Sequence, residues 1–194
     1  YERIKAFFQT KRNFIGKKVL ITAGPTYEAI DPVRFIGNHS SGLMGIEIAR
    51  AFADQGAEVT LVLGPSNISV NKKNVNVLPV TSAKEMYEAV TALFPKTDIA
   101  VLSAAVADFR PEMVADQKIK KNPDNDTLTI KLVKTEDILK SVGGMKTENQ
   151  TVVGFALETE NGLENAKKKL HTKNIDLIVL NEMNESGVGF KTKT

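Results

Sequence analysis

The sequence has no cysteine and no tryptophan, and only two histidines, His39 and His171. Without cysteine there is no disulfide framework, no thiolate nucleophile and no thiolate metal site, and two imidazoles exclude a histidine-rich one. No apolar run approaches the roughly 18 residues of a membrane-spanning helix, and no signal-peptide pattern opens the chain. A net charge of +3 over 194 residues is too small to point to nucleic acid, but it fits a local basic pocket for a small polyanion. The expected address is the cytoplasm, and the expected partners are small molecules rather than nucleic acid or membrane.

What is present is an alternation of short apolar runs with amphipathic stretches, the pattern of a Rossmann-like α/β fold: a mostly parallel sheet with helices on both faces. Strands are predicted at 18–23, 58–63, 75–80, 99–104, 128–133, 151–156 and 176–180. Helices are predicted at 42–55, 82–93, 135–142 and 162–171. Ser82 and Glu85 form a capping-box pair, and Gly56 is placed to terminate the helix before it. One nucleotide-binding domain is expected over 1–194, opened by a lead-in helix over 1–16. Tyr1 in place of methionine reads as a trimmed, processed or disordered start. Residues 110–127 are polar, aperiodic and bounded by prolines, as a functional flap or a disordered linker would be, and they lie where a flap could close over a site.

Two glycine-rich turns frame the first helix. The run Lys18–Ala23 ends at Gly24, and Asn38-His39-Ser40-Ser41-Gly42 leads into Gly45. A dinucleotide-binding unit keeps its glycines in one turn. Here Gly24 is parted from Gly42 and Gly45 by a loop carrying Glu28, Asp31, Arg34 and Asn38. Ser40 and Ser41 are either plain helix caps or part of a phosphate or carboxylate site at the helix start. Asn38 is either a turn residue or an amide donor to a developing oxyanion. Further on, the small residues Ser103 and Ala104 end a strand where α/β folds bind ligands, and Asp108 can bind ribose or magnesium or simply belong to a turn. Lys118, with Lys120 and Lys121, is either a solvated charge run or a flap lysine that reaches phosphate. Lys169 and Lys173 share a helical face, exposed or phosphate-facing. Phe155 is either core or one wall of a base pocket.

Together these residues carry a resemblance. Ile21-Thr22-Ala23-Gly24-Pro25-Thr26-Tyr27-Glu28, Asp31-Pro32-Val33-Arg34, Asn38-His39-Ser40-Ser41-Gly42 and Ala104-Ala105-Val106-Ala107-Asp108-Phe109-Arg110-Pro111 resemble the bacterial phosphopantothenoylcysteine synthetase family. So do Lys118-Ile119-Lys120-Lys121, Val153-Gly154-Phe155-Ala156-Leu157-Glu158-Thr159 and Lys173-Asn174-Ile175-Asp176-Leu177-Ile178 with Asn181. The resemblance runs in order from about residue 17 to 190. It implies a ligase of coenzyme A biosynthesis that joins 4′-phosphopantothenate to cysteine with CTP and magnesium through an acyl-cytidylate.

It further implies that Ser103, Ala104, Asp108, Lys118, Glu136, Asp137, Ile138, Leu139, Phe155, Lys169 and Lys173 bind the nucleotide, with Asp108 the candidate magnesium ligand. Gly24, Ser40, Ser41, Gly42 and Gly45 form the phosphate and substrate loop, and Asn38 and Lys118 are catalytic. A homodimer is implied, as is association with a separate phosphopantothenoylcysteine decarboxylase, since this chain resembles a stand-alone form or an excised domain.

The alternative is a Rossmann-type NAD(P)-dependent oxidoreductase. The split glycines and Gly64-Pro65-Ser66, standing where a ribose-binding acid is needed, argue against it. A non-catalytic nucleotide-binding module is disfavoured by the number of polar groups converging on one edge.

Overall fold

The computed structural model describes residues 13–121 and 127–182. The predicted lead-in helix falls largely outside them. Six strands form one all-parallel sheet: β1 (Lys18–Ala23), β4 (Glu58–Leu63), β5 (Val75–Pro79), β6 (Ile99–Leu102), β9 (Thr151–Glu158) and β10 (Leu177–Glu182). Their order is β10-β9-β6-β1-β4-β5. The chain builds outward from β1 to β5, then returns to the other side of β1 with β6. The carboxyl ends of β1 and β6 therefore flank the point where the winding reverses, the place where open α/β sheets hold ligands.

The inner strands read as unbroken apolar runs because both sheet faces are covered. Val19 and Ile21 of β1 join Ile46, Ala49 and Ala53 of α1 (Leu43–Asp54) on one face. Leu20 joins Met86 and Val90 of α2 (Ala83–Leu93) and Ile138 and Val142 of α3 (Ile138–Met145) on the other. Leu170 of α4 (Gly162–Thr172) packs against that second cluster. α2 begins on the predicted capping box, with Ser82 Oγ accepting the Glu85 N–H at 3.2 Å. Gly56 takes the left-handed φ of 93° that ends α1.

Two small hairpins were not foreseen. β2 (Tyr27–Ala29) pairs antiparallel with β3 (Phe35–Gly37) inside the loop that separates the glycines. The Tyr27 and Phe35 rings stack across it with centroids 3.9 Å apart. Glu28 is buried, and its Oε1 accepts the Ala83 N–H at 2.8 Å, which fastens the insertion to the first turn of α2. β7 (Phe109–Pro111) pairs antiparallel with β8 (Leu132–Lys134). The strand predicted at 128–133 is thus shorter, shifted toward its end, and outside the main sheet. The polar interruption at 110–127 opens as β7 and is then tied down: the Ala115 N–H donates to Ile30 O at 3.0 Å and the Ile119 N–H to Asp31 Oδ2 at 3.1 Å.

Candidate active site

A cleft of about 520 Å³ opens beyond the carboxyl ends of β1, β6 and β9. Its floor is Thr22, Leu102, Ala104 and Phe155; one wall is Val106, Asp108 and Phe109, and another runs from Lys134 to Leu139. Lys169 and Lys173 complete it. The structure therefore gathers nine of the predicted nucleotide-binding residues at one opening: Ala104, Asp108, Glu136, Asp137, Ile138, Leu139, Phe155, Lys169 and Lys173.

Local structure explains why these residues meet. Thr22 is the penultimate residue of β1 and its Oγ1 accepts the Ala104 N–H at 3.2 Å, so the chain leaving β6 turns across the end of β1. The Thr26 hydroxyl accepts the Ala107 N–H at 3.0 Å. Thr135 donates its hydroxyl to Ala107 O at 2.7 Å and its N–H to Asp108 O at 3.0 Å. These bonds leave the Asp108 side chain exposed at the cleft mouth. Asp137 then caps α3, its Oδ1 accepting the Lys140 N–H at 2.9 Å. Opposite, α3 and the end of α4 fit so closely that a Cβ on Gly143 would stand 1.8 Å from the Lys173 carbonyl oxygen.

Neither Lys169 nor Lys173 is free. Lys173 Nζ donates to Asp137 Oδ1 at 3.1 Å, and Lys169 Nζ to Glu158 Oε1 at 2.6 Å. The other Glu158 oxygen accepts from Asn165 Nδ2 at 2.9 Å. The Lys169 ammonium is the main cause holding the Glu158 carboxyl below its ordinary range, against the effect of burial. For Asp137, desolvation opposes the charge, and the Lys140 N–H and Lys173 outweigh it, so its pKa is also lowered. The result is a partly shielded site with two ammonium groups on adjacent turns of one helix end, each held by a carboxylate that an anionic ligand can displace.

The remaining predicted residues lie beside the cleft rather than along it. Asn38 is exposed, and its amide nitrogen donates to Ala105 O at 3.0 Å and Val106 O at 3.1 Å, fixing the wall that carries Asp108. Ser103 gives its hydroxyl to Thr22 O at 2.7 Å. Gly24, Gly42 and Gly45 meet where α1 crosses the end of β1: a Cβ on Gly42 would lie 3.1 Å from Gly24 Cα, and one on Gly45 would lie 2.6 Å from Ser103 Oγ. Gly24 and Gly42 have φ of 81° and 79°, so both the contact and the backbone call for glycine. Ser40 and Ser41 accept the Gly42 and Leu43 N–H groups, each at 3.3 Å. Lys118 is exposed on the tethered segment beyond β7 and does not line the cleft.

Thr22, Leu102, Val106, Phe109, Lys134 and Thr135 line the cleft without having been predicted. The two threonines carry a faint signal, since each interrupts an apolar or charged run just where a strand ends. Among the described residues no three His, Asp or Glu side chains come together as a metal cage. None of their helices is long and apolar enough to cross a membrane.

Comparison with known proteins agrees with the fold. The family model described as "DNA/pantothenate metabolism flavoprotein C-terminal domain" matches residues 14–194. A cysteine/cysteine sulfinic acid decarboxylase from an unknown prokaryotic organism is 51% identical over 95% of this chain and 51% of its own length. The coenzyme A biosynthesis bifunctional protein CoaBC of Vibrio parahaemolyticus is 50% identical over 96% of this chain and 46% of its own. The chain thus spans about half the length of these curated relatives. The crystal structure of the C-terminal domain of a CoaBC protein superposes with a TM-score of 0.77 at 44% identity, covering 90% of this chain and 81% of that one.

Proposed function

The chain belongs to the DNA/pantothenate metabolism flavoprotein C-terminal domain family, and from that premise we propose that it is the CTP-dependent ligase joining 4′-phosphopantothenate to L-cysteine. The observation that carries this reading is the cleft itself: Phe155 and the first turn of α3 surround a space for base and sugar, while Lys169 and Lys173 stand where phosphates would lie.

In the first half-reaction the pantothenate carboxylate oxygen attacks the α-phosphorus of CTP. A carboxylate–phosphorus bond forms as the bond to pyrophosphate breaks, giving the acyl-cytidylate. In the second, the cysteine amine attacks the acyl carbon, CMP leaves with the electron pair of the C–O bond, and the amine loses a proton.

Lys169 and Lys173 exchange Glu158 and Asp137 for phosphate oxygens, binding and orienting the triphosphate. Lys118 acts in the first step by offsetting charge as pyrophosphate departs. The Gly24 and Ser40–Gly45 turns, with Ser103 behind them, hold the phosphopantothenate side. Asn38 acts in the second step as a donor to the acyl oxyanion, which requires one of its two carbonyl bonds to be given up to substrate. Magnesium fits the donor set as an ion shared with substrate phosphates, which needs only one or two carboxylates. Asp108 would hold it, and it would neutralise phosphate charge.

The exposed apolar residues Val33, Phe35, Met113 and Val114 on the two hairpin regions suit a homodimer contact, which sedimentation at micromolar concentration would detect. Association with a separate phosphopantothenoylcysteine decarboxylase and a cytoplasmic setting belong to the same proposal; the chain spans about half of a relative named as bifunctional. The oxidoreductase alternative has no support among the relatives, and Gly64, where a ribose-binding acid would follow β4, packs against the β1 end: a Cβ there would meet Pro25 O at 1.8 Å.

Incubating the protein with CTP, phosphopantothenate and cysteine should release pyrophosphate and form phosphopantothenoylcysteine. Pyrophosphate release that needs no phosphopantothenate, or none at all, would refute the proposal.

A further inference from the structure

Asp31 is a buried carboxylate with five donors. Its Oδ1 accepts the Val33 and Arg34 N–H groups at 2.8 and 2.9 Å. Its Oδ2 accepts Arg34 Nε at 3.0 Å and Arg34 Nη2, and also the Ile119 N–H at 3.1 Å. Arg34 Nη2 in turn donates to Ile119 O at 3.0 Å. One acid and one base thus hold both backbone polar groups of a residue 88 positions away. The side chain of Asp31 has 0% exposure.

A buried charge on this scale needs a full set of partners to be tolerated. A surface turn needs no such arrangement, because any aspartate in an Asx turn would satisfy Val33 and Arg34 alone. The additional bonds hold Ile119, the residue directly after Lys118: its N–H donates to Asp31 itself, and its carbonyl accepts from the Arg34 guanidinium that Asp31 grips. Ala115, on the same segment, donates to Ile30 O at 3.0 Å, next to Asp31 in sequence. Residues 115–119 are therefore laid along the Ile30–Arg34 loop rather than hanging as an open flap.

We propose that Asp31 is a positioning residue that acts through Ile119 to set where Lys118 can reach. The inference rests on the reading that Lys118 serves the triphosphate, and it adds that the reach of this lysine is fixed from below, by the loop that also leads to Asn38. Small displacements of a charged group in a catalytic site cost rate steeply, so loosening the anchor should slow the step that Lys118 serves. A carboxylate that only stabilised the fold would lower activity independently of Lys118.

A double-mutant cycle on pyrophosphate release separates these roles. Asp31→Asn keeps the size but sets an amide donor among donors. The expected result is a loss of about tenfold or more in kcat for Asp31→Asn, with no further loss when it is combined with Lys118→Gln. Losses that multiply in the double variant would overturn the inference while leaving Lys118 in its role. Wild-type pyrophosphate release by Lys118→Gln alone would instead remove the reading of Lys118, and the inference with it. Should Asp31→Asn fail to fold, Arg34→Lys carries the same cycle, since lysine keeps the charge beside Asp31 but cannot fork between it and Ile119 O. Hydrogen exchange adds a direct readout: the Ile119 amide should be protected, and exchange at the rate of an open loop would overturn the anchor.

Discussion

Asp137 Oδ1 accepts both the Lys140 N–H at 2.9 Å and Lys173 Nζ at 3.1 Å, so one oxygen caps helix α3 and holds a cleft lysine. Asp137→Ala should act on both. Loss of a helix cap costs about 1 kcal/mol, or about 2–4 °C in Tm for a chain of this size. The same variant should weaken CTP binding, because Lys173 loses its guide. Thermal unfolding and nucleotide titration on one sample test the pairing; a lowered Tm with unchanged CTP affinity would reduce Asp137 to a cap.

Lys169→Ala and Lys173→Ala should each raise the CTP dissociation constant by about tenfold or more, the scale of one charge-assisted phosphate contact in a partly shielded site. Each variant also leaves a carboxylate, Glu158 or Asp137, without its cation. Isothermal titration reads the constant directly. An unchanged value in both variants would show that the lysines serve only their carboxylates.

Asn38→Asp should stop the reaction between its halves. The variant replaces a two-pronged donor with a charge facing the Ala105 and Val106 carbonyls, and it cannot stabilise an oxyanion. Loss of one such donor typically costs about a hundred- to a thousandfold in rate. Pyrophosphate release should persist while acyl-cytidylate accumulates and phosphopantothenoylcysteine stays low. Mass spectrometry with and without cysteine settles it, and normal turnover would return Asn38 to a wall-bracing role.

Acid should loosen the protein in a defined window. Arg34 holds the Asp31 carboxyl well below the usual range, Lys169 lowers Glu158, and the net shifts of Asp137 and Asp176 are also downward. A carboxylate lowered on folding contributes stability that is complete above its unfolded pKa and is lost as pH falls toward the folded value. Stability should therefore be flat in carboxylate terms near neutrality and fall below about pH 4. Glu158→Gln should narrow its gap from wild type as pH drops from 7 to 3. Urea midpoints across that range test this, and a constant gap would mean that the Glu158 charge contributes nothing.

The fold was legible wherever burial on both faces imposed continuous apolar runs, as in Val19-Leu20-Ile21, and wherever a helix end carried its own chemistry, as at Ser82 and Glu85. The hairpins β2–β3 and β7–β8 were not, because three-residue strands are too short to show a period. They exist through tertiary contacts such as the Tyr27–Phe35 stack. Much of the cleft was legible through the resemblance, which marked Asp108, Phe155, Lys169 and Lys173 before any geometry. Thr22 and Thr135 escaped notice because a threonine at a strand end looks like any other, and its role lies in which carbonyl or amide it meets. Glu158 stood inside a recognised block, but only the fold brings it to Lys169. The 110–127 segment reads as a flap or a linker from its polarity, its lack of a period and its prolines, and nothing local shows that Ile119 finds Asp31.

The Glu28 carboxylate at the first turn of α2 has a further meaning for how the molecule comes apart. The loop between the glycines is long and its strands are short, the profile of a segment that ordinarily frays alone. Yet it is keyed to a core helix through Glu28 and to the chain leaving β6 through Thr26 and Asn38. The insertion and the sheet should open together as one cooperative unit, so that amides around Tyr27–Ala29 exchange with the same free energy as those of β1. Chemistry placed on such a loop gains the order of the core without being buried in it.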